Sequence, residues 1–292
     1  MNDKSKGAQK IIPTPERILG FLSESPGWRS GEEMAERLGI TRAAVAKQVA
    51  KLRIDGNVIE SQTKRGYCLR VLREAADRYA VEPHLRTTFL GRTGWLDLRE
   101  TVSTNTEAIT WALAGAAAGA VVTAERQNGG KGRKGRNWFS SPHSLQFSVI
   151  LRPQGVRETE ASITTAALFA AAEAIRSMVG VEPVIKQPND VMLDGRKVCG
   201  ILTEAGSRAG EPDWVALGIG CNVNVVPGEF PEELRERMTS LYQLAGTQIS
   251  KSRLFAEILN RLEIGLLELG SRSGIVWSWP DGDARGNPDG YA

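Results

Sequence analysis

Histidine and cysteine are scarce in this 292-residue chain, which has two of one and three of the other. His84 and His143 cannot build a histidine-rich metal cage, and no metal-ligating set is expected. Cys68, Cys199 and Cys221 are odd in number, widely spaced and without C-x-x-C spacing. They make neither a disulfide framework nor a zinc site, so reduced, buried thiols of a cytoplasmic protein are expected. No run of 18 uncharged apolar residues exists, which excludes a helix of membrane-spanning length and predicts no membrane partner. The opening Met1-Asn2-Asp3-Lys4-Ser5-Lys6 has no apolar core, so no signal peptide is expected. What is present is 41% hydrophobic and 24% charged, enough chain for two or three domains with buried cores.

The net charge of +3 hides an asymmetry. Residues 1–72 carry 13 of the 37 Lys+Arg and 8 of the 34 Asp+Glu, a net of +5, and the remainder is −2. A basic end on a mildly acidic body points to a polyanion partner for that end alone.

That end reads as three helices and a hairpin. Thr14 caps and Pro15 opens a helix over 14–23, with Ile18, Leu19, Phe21 and Leu22 on its apolar face. Ser30 and Glu33 have capping-box spacing for a second helix, which Gly39 stops. Thr41 caps a third running to about Asp55, with Ala44, Val45, Val49, Leu52 and Ile54 apolar. A strand over 58–61, the turn Thr63-Lys64-Arg65-Gly66 and a strand over 67–69 form a wing. Helix, short turn, helix and wing make a winged helix-turn-helix. Thr41, Arg42, Lys47 and Gln48 are its candidate groove contacts, and Lys64 and Arg65 its phosphate contacts. A helical protein-interaction module with a solvated basic face is the competing reading.

Residues 73–86 look like a helical linker. Beyond it the patterns predict strands over 95–99, 119–124, 145–151, 184–187, 191–193, 198–204 and 214–220, with Asp194-Gly195 a hairpin turn. Helices are expected over 103–114, 158–179, 231–244 and 250–269. The segment 145–151 alternates, so it should be half-buried. Hairpins with irregularly interspersed helices indicate α+β. Residues 271–292 lack periodicity and read as an irregular tail with exposed Trp277 and Trp279.

Four stretches carry chemistry. Gly129-Gly130-Lys131-Gly132-Arg133-Lys134-Gly135-Arg136 has the G-x-G-x-x-G spacing of a dinucleotide fingerprint, but it leads into a strand rather than a helix. It is not a P-loop, because no Gly-Lys precedes Ser or Thr. A flexible loop of four cations remains, suited to phosphate once an anion orders it. Lys186-Gln187-Pro188-Asn189-Asp190 holds a cation and a carboxylate about a proline. Ser103-Thr104-Asn105 opens a helix, where Thr104 and Glu107 alone would be a capping box. Gly218-x-Gly220-Cys221-Asn222-Val223-Asn224 closes a strand.

Together and in this order, with Gln127 and the 194–202 stretch containing Gly200, these motifs resemble the biotin protein ligase family. The resemblance spans about 12–270. With the winged helix it is to the bifunctional type, ligase and biotin-operon repressor in one chain. It implies a class II synthetase-like, mixed and largely antiparallel sheet with helices packed on it. The implied domains are a DNA-binding domain at 12–72, a linker at 73–86 and a biotin- and ATP-binding catalytic domain at 87–270. The implied reaction forms biotinyl-5′-AMP from biotin and ATP with Mg²⁺, then biotinylates a lysine of a biotin carboxyl carrier domain. Ser103, Thr104, Asn105 and Gln127 match the family's biotin contacts. Gly130, Lys131, Gly132, Arg133, Lys134, Gly135 and Arg136 match its phosphate and adenylate loop, with Trp138 beside the adenine. Lys186 matches the lysine on the biotin carboxyl and α-phosphate and is the expected main catalytic group. Arg133 and Arg136 support it, and Asp190 is expected to orient Lys186 or activate the incoming lysine. Gly200 and Asn222 complete the nucleotide contacts. The resemblance further implies operator DNA as a partner and a homodimer favoured by ligand.

Three features depart from the family pattern. Lys131 replaces an arginine and loses its bidentate fork. Gln187 replaces a tryptophan. Residues 271–292 are too short and polar for the small SH3-like barrel the family carries there. A DNA-binding biotin sensor with weak or no ligase activity is therefore the alternative, and a lipoate ligase relative a weaker one.

Overall fold

The computed structural model describes residues 14–24, 27–154, 159–208, 211–273 and 275–277. It forms two compact units, Met1–Arg73 and Glu74–Ala292. No helix among the described residues is long and apolar enough to cross a membrane.

The first unit contains α1 (Thr14–Ser23), α2 (Gly31–Leu38), α3 (Arg42–Ile54), β1 (Val58–Gln62) and β2 (Gly66–Val71). Ile18, Phe21, Leu22, Met34, Val45, Val49, Leu52 and Ile59 form its core. Gly39 ends α2 at φ +67°, the left-handed stop its position predicts. Thr41 caps α3 by accepting the Ala44 N–H at 3.1 Å. Two expectations fail locally. Ser30 caps α2 through the Glu32 N–H, while the Glu33 carboxylate lies 3.9 Å from Arg29 instead of closing a box. Ile54, at the last turn of α3, is 85% exposed rather than packed inward. The wing forms as β1 pairs antiparallel with β2, and Lys64 at its turn has φ +68°.

The second unit contains α4 (Arg78–Val81), β3 (Trp95–Thr101), α5 (Thr104–Leu113), β4 (Val121–Gln127), β5 (Ser144–Leu151), β6 (Pro153–Gln154), α6 (Thr159–Val179), β7 (Val184–Lys186), β8 (Asp190–Leu193), β9 (Arg196–Arg208), β10 (Glu211–Asn222), α7 (Leu241–Ala245), α8 (Lys251–Ser273) and β11 (Val276–Trp277). Its main sheet has the order β3-β4-β5-β10-β9-β8-β7, antiparallel except for the β3–β4 pair. The α+β reading holds. The long helices α6 and α8 cover one face through Ile163, Leu168, Ile175, Phe255, Leu259 and Leu262. Helix α5 covers the other through Ala108 and Ala112 against Val122, Ile150 and Ala216.

This layering explains four differences from the sequence reading. Every residue of β5 is buried, not every second one, because helices lie on both faces. The segment read as a helical linker is helical only over α4 and the turn at Glu82–His84, and it is not a bare linker, since it brings Val81 and Leu85 into the core of the second unit. Residues 231–244 are not one helix. A turn at Glu232–Leu234 and α7 flank a crossing that pairs with β9, where the Lys197 N–H donates to the Arg237 carbonyl at 2.8 Å and the Thr239 N–H to the Lys197 carbonyl at 2.9 Å. Finally, Trp277 is 4% exposed, on a short strand paired with β6, and its Nε1–H donates to the Leu266 carbonyl at 3.0 Å. Trp279 lies outside the described residues.

Candidate active site

A cavity of about 550 Å³ opens over β9, β10 and the start of α5. Its neutral polar end is built by the α5 N-terminus. The Gln127 Oε1 accepts the Thr104 N–H at 2.6 Å and the Thr104 hydroxyl at 3.1 Å. The Asn105 Nδ2 donates to the Leu202 carbonyl at 3.2 Å and to the Glu204 carboxylate at 2.8 Å. Ser103 lies beside them on the wall. The capping-box reading of Thr104 fails: Glu107 instead accepts the Thr101 hydroxyl at 2.7 Å, which leaves Thr104 to the cavity. Gly218 has a steric reason to be glycine. A Cβ there would stand 2.3 Å from the Asn105 Oδ1.

The other end is cationic. The glycine-rich loop folds back on itself, with the Trp138 N–H donating to the Gly130 carbonyl at 2.8 Å and the Gly132 N–H to the Arg136 carbonyl at 2.7 Å. A turn at Arg133–Gly135 takes Lys134 to φ +57° and Gly135 to +71°. Lys131, Gly132, Arg133 and Arg136 line the cavity, whereas Gly130, Lys134 and Gly135 shape the loop without lining it. Trp138 lies on a cross-strand glycine pair. A Cβ would approach its ring to 3.1 Å from Gly200 and 2.5 Å from Gly220. The glycines at these strand positions are thus explained by the side chains above them.

Lys186 reaches the same wall from the strand before the cis Gln187–Pro188 bond. It faces Asp190 across the β7–β8 register. The Asp190 carboxylate, however, pairs with Lys197 at 2.5 Å, an ion pair without hydrogen-bond alignment. Among the described residues Lys186 has no carboxylate within ion-pair distance, so Asp190 does not orient it as expected. The Lys197 Nζ also lies 5.2 Å from the Trp138 ring centroid, within cation–π range. Sequence reasoning passed over Lys197, although it lies in the same 194–202 stretch as Gly200. It also missed Arg237, which the 235–240 crossing brings to the wall. Asn222 is a correction. It is fully buried, donates its Nδ2 to the Thr239 carbonyl at 3.1 Å and does not line the cavity, and its Oδ1 is unpartnered among the described residues.

Two further clusters lie outside the cavity lining. His143 Nδ1 lies 2.8 Å from the Glu229 carboxylate, which also accepts the Ser141 hydroxyl at 2.5 Å. Burial alone would raise the Glu229 carboxyl, but hydrogen bonds from His143, Ser141 and the Val226 N–H outweigh it and hold the group below its ordinary range. Cys199 and Cys221 face each other across β9 and β10. Hydrogen bonding to Cys199 and full burial push the Cys221 thiol well up, so it is a packing residue and not a nucleophile. Among the described residues no group of three or more His, Cys, Asp or Glu could hold a metal ion.

In the first unit the cap Thr41 and, on α3, Arg42 and Lys47 are exposed, and Gln48 is half-buried. Lys64 and Arg65 stand at the exposed wing turn. The Arg65 guanidinium lies 4.7 Å from the Trp28 ring centroid and donates to the Gln62 side chain at 3.2 Å. A pocket between the α3 N-terminal half and the wing is lined by Arg42, Lys64 and Arg65.

Comparison with known proteins agrees with both units. Residues 98–224 match the Biotin/lipoate A/B protein ligase family, and residues 15–68 match an HTH domain. The bifunctional ligase/repressor BirA of Bacillus subtilis is 33% identical over 79% of this chain and 71% of that protein. A biotin–[acetyl-CoA-carboxylase] ligase of Mycobacterium tuberculosis is 31% identical over 64% of this chain and 71% of that protein. Among solved structures, the biotin protein ligase from Aquifex aeolicus in complex with biotin and ATP is similar, with a TM-score of 0.53 and 28% identity. That likeness covers 61% of this chain and 72% of the other.

Proposed function

The chain belongs to the biotin/lipoate A/B protein ligase family, and on that premise we propose that it joins biotin to ATP as biotinyl-5′-AMP and passes the acyl group to a lysine of a biotin carboxyl carrier domain. The observation that carries this reading is one cavity with a neutral, hydrogen-bonded end and a cationic end. A neutral cyclic urea suits Ser103, Thr104, Asn105 and Gln127, and a triphosphate suits Lys131, Arg133, Arg136, Lys186 and Lys197. In the first step the biotin carboxylate attacks the α-phosphorus and pyrophosphate leaves. Negative charge grows on the phosphoryl oxygens, and cations already in place stabilise it without reorganising. Lys186, without a carboxylate partner among the described residues, and Lys197, set between Asp190 and Trp138, are the two best placed. Trp138 supplies a flat face for the adenine. In the second step the acceptor amine attacks the acyl carbon and AMP leaves.

Magnesium fits as a passenger on the nucleotide. It commonly uses one or two carboxylates plus substrate phosphates rather than a protein cage, and Asp190 and Glu236 are the carboxylates on the wall. There it would shield phosphate charge. For the first unit, the HTH match and the exposed cations of α3 and the wing support binding to operator DNA; a homodimer favoured by ligand is part of the proposal by family resemblance alone.

Biotin-dependent pyrophosphate release tests the chemistry. Lys186→Ala and Lys197→Ala should each slow it by about a hundredfold or more. Near-normal turnover in Lys186→Ala would overturn that residue's assignment.

A further inference from the structure

We propose that Ser148 and Glu204 are positioning residues that fix the hydrogen-bonding polarity of the neutral end of the cavity. They thereby set its preference for a ring that donates and accepts hydrogen bonds over an apolar ring. The proposal rests on the ligase reading and deepens it.

A carboxamide has two faces of similar shape and opposite polarity, so an asparagine in a binding site must be held one way round. Asn105 is held from both sides. Its Nδ2 donates to the Glu204 carboxylate at 2.8 Å and the Leu202 carbonyl at 3.2 Å. Both partners only accept, so the amide cannot turn over without placing oxygen against oxygen. The bond to a carboxylate is also the stronger, charge-assisted kind. On the other side the Ser148 Oγ, wholly buried on β5, lies 2.6 Å from the Asn105 Oδ1 and 2.8 Å from the Thr104 Oγ1. The one Ser148 proton goes to the Asn105 Oδ1, and the one Thr104 hydroxyl proton has both the Ser148 Oγ and the Gln127 Oε1 within reach.

The consequence reaches Gln127. Its Oε1 accepts the Thr104 N–H at 2.6 Å, a donor that cannot be reversed, which leaves the Nε2 hydrogens to donate. With Asn105 fixed, its Oδ1 keeps a second lone pair to accept. The end of the cavity therefore presents both a donor and an acceptor in set positions. A ring without hydrogen-bonding groups would bury them unpaired, and sites of this kind reject such analogues strongly. Neither Ser148 nor Glu204 lines the cavity, so both act through Asn105 and Thr104.

The test uses the full chain with biotin, ATP, and lipoate as the apolar-ring competitor. Ser148→Ala and Glu204→Ala should raise the biotin KM and the calorimetric biotin Kd by about tenfold to a hundredfold. The ATP KM and kcat should stay within about threefold, and the biotin-over-lipoate preference should narrow. Glu204→Gln retains an accepting oxygen but adds a donor, so it should recover part of the loss and no more. An unchanged biotin Kd in both alanine variants, an equal rise in both KM values, or no recovery in Glu204→Gln overturns the proposal. If Ser148→Ala fails to fold, the two Glu204 variants decide the matter. Wild-type protein that binds no biotin overturns the ligase reading and this proposal with it. Wild-type binding that the variants leave intact overturns this proposal alone.

Discussion

Glycine at position 220 is dictated by the tryptophan above it. A Cβ there would come within 2.5 Å of the Trp138 indole, so Gly220→Ala must displace the ring. The ATP KM should rise by about tenfold or more while the biotin KM holds, because Asn105 sits over Gly218 instead. Steady-state kinetics with each substrate varied checks this, and equal effects on both would contradict it. Glu229 works by charge rather than shape. Its folded carboxyl titrates below the unfolded value of about 4.3. Its contribution to stability is therefore complete above that pH and disappears as the pH falls through the lower folded value. Glu229→Gln should lower Tm at pH 7 and flatten the decline of Tm below pH 5. A variant with the wild-type acid profile would show that the cluster with His143 and Ser141 is not the cause.

Helix α8 illustrates what an element gains from distant partners. Its Glu263, 2% exposed, accepts the Thr88, Phe89 and Leu90 N–H groups and the Thr88 hydroxyl, between 2.6 and 3.1 Å. Glu263→Ala strands those donors and should cost about 3 kcal/mol, lowering Tm by roughly 6–12 °C in thermal unfolding. A shift under about 2 °C would mean water replaces the carboxylate fully. No sequence pattern shows this role, because the partners lie more than 170 residues apart. What was legible is local. Thr41, Gly39 and the Asp194-Gly195 turn act within a few residues, and the elements around them form where the pattern places them. What was illegible depends on neighbours. The 231–244 segment would suit a helix alone, but β9 captures its backbone. Thr104 has a capping residue's spacing, but Gln127 and Ser148 claim it. Trp277 looks exposed in a polar tail, yet α8 and β6 bury it. In the candidate site, the motifs pointed to most of the side chains that the cavity gathers, while Asn222, Gly130, Lys134 and Gly135 lie off its wall. The ion pair that diverts Asp190 from Lys186 to Lys197 was not legible, since only the β8–β9 hairpin brings it about.

At the scale of the molecule, a basic unit of net +6 is joined to a larger one of −3, because Arg73 falls in the first unit, and the second conceals a concentrated cationic cavity. For the first unit, four cations at Arg42, Lys47, Lys64 and Arg65 imply a salt dependence of DNA binding with slope near −3.5 per protomer. Binding to the upstream DNA of its own gene should tighten with biotin plus ATP, and Lys64→Ala should reduce the slope by about one. Titrations at several salt concentrations check this; binding that is insensitive to salt or to biotin contradicts it. For the whole chain, the central claim is chemical. Radiolabelled biotin, ATP and an apo carrier domain should give one labelled carrier lysine, with AMP and pyrophosphate released in equal amounts. Biotin and ATP bound with no label on the carrier would contradict it and leave a DNA-binding biotin sensor.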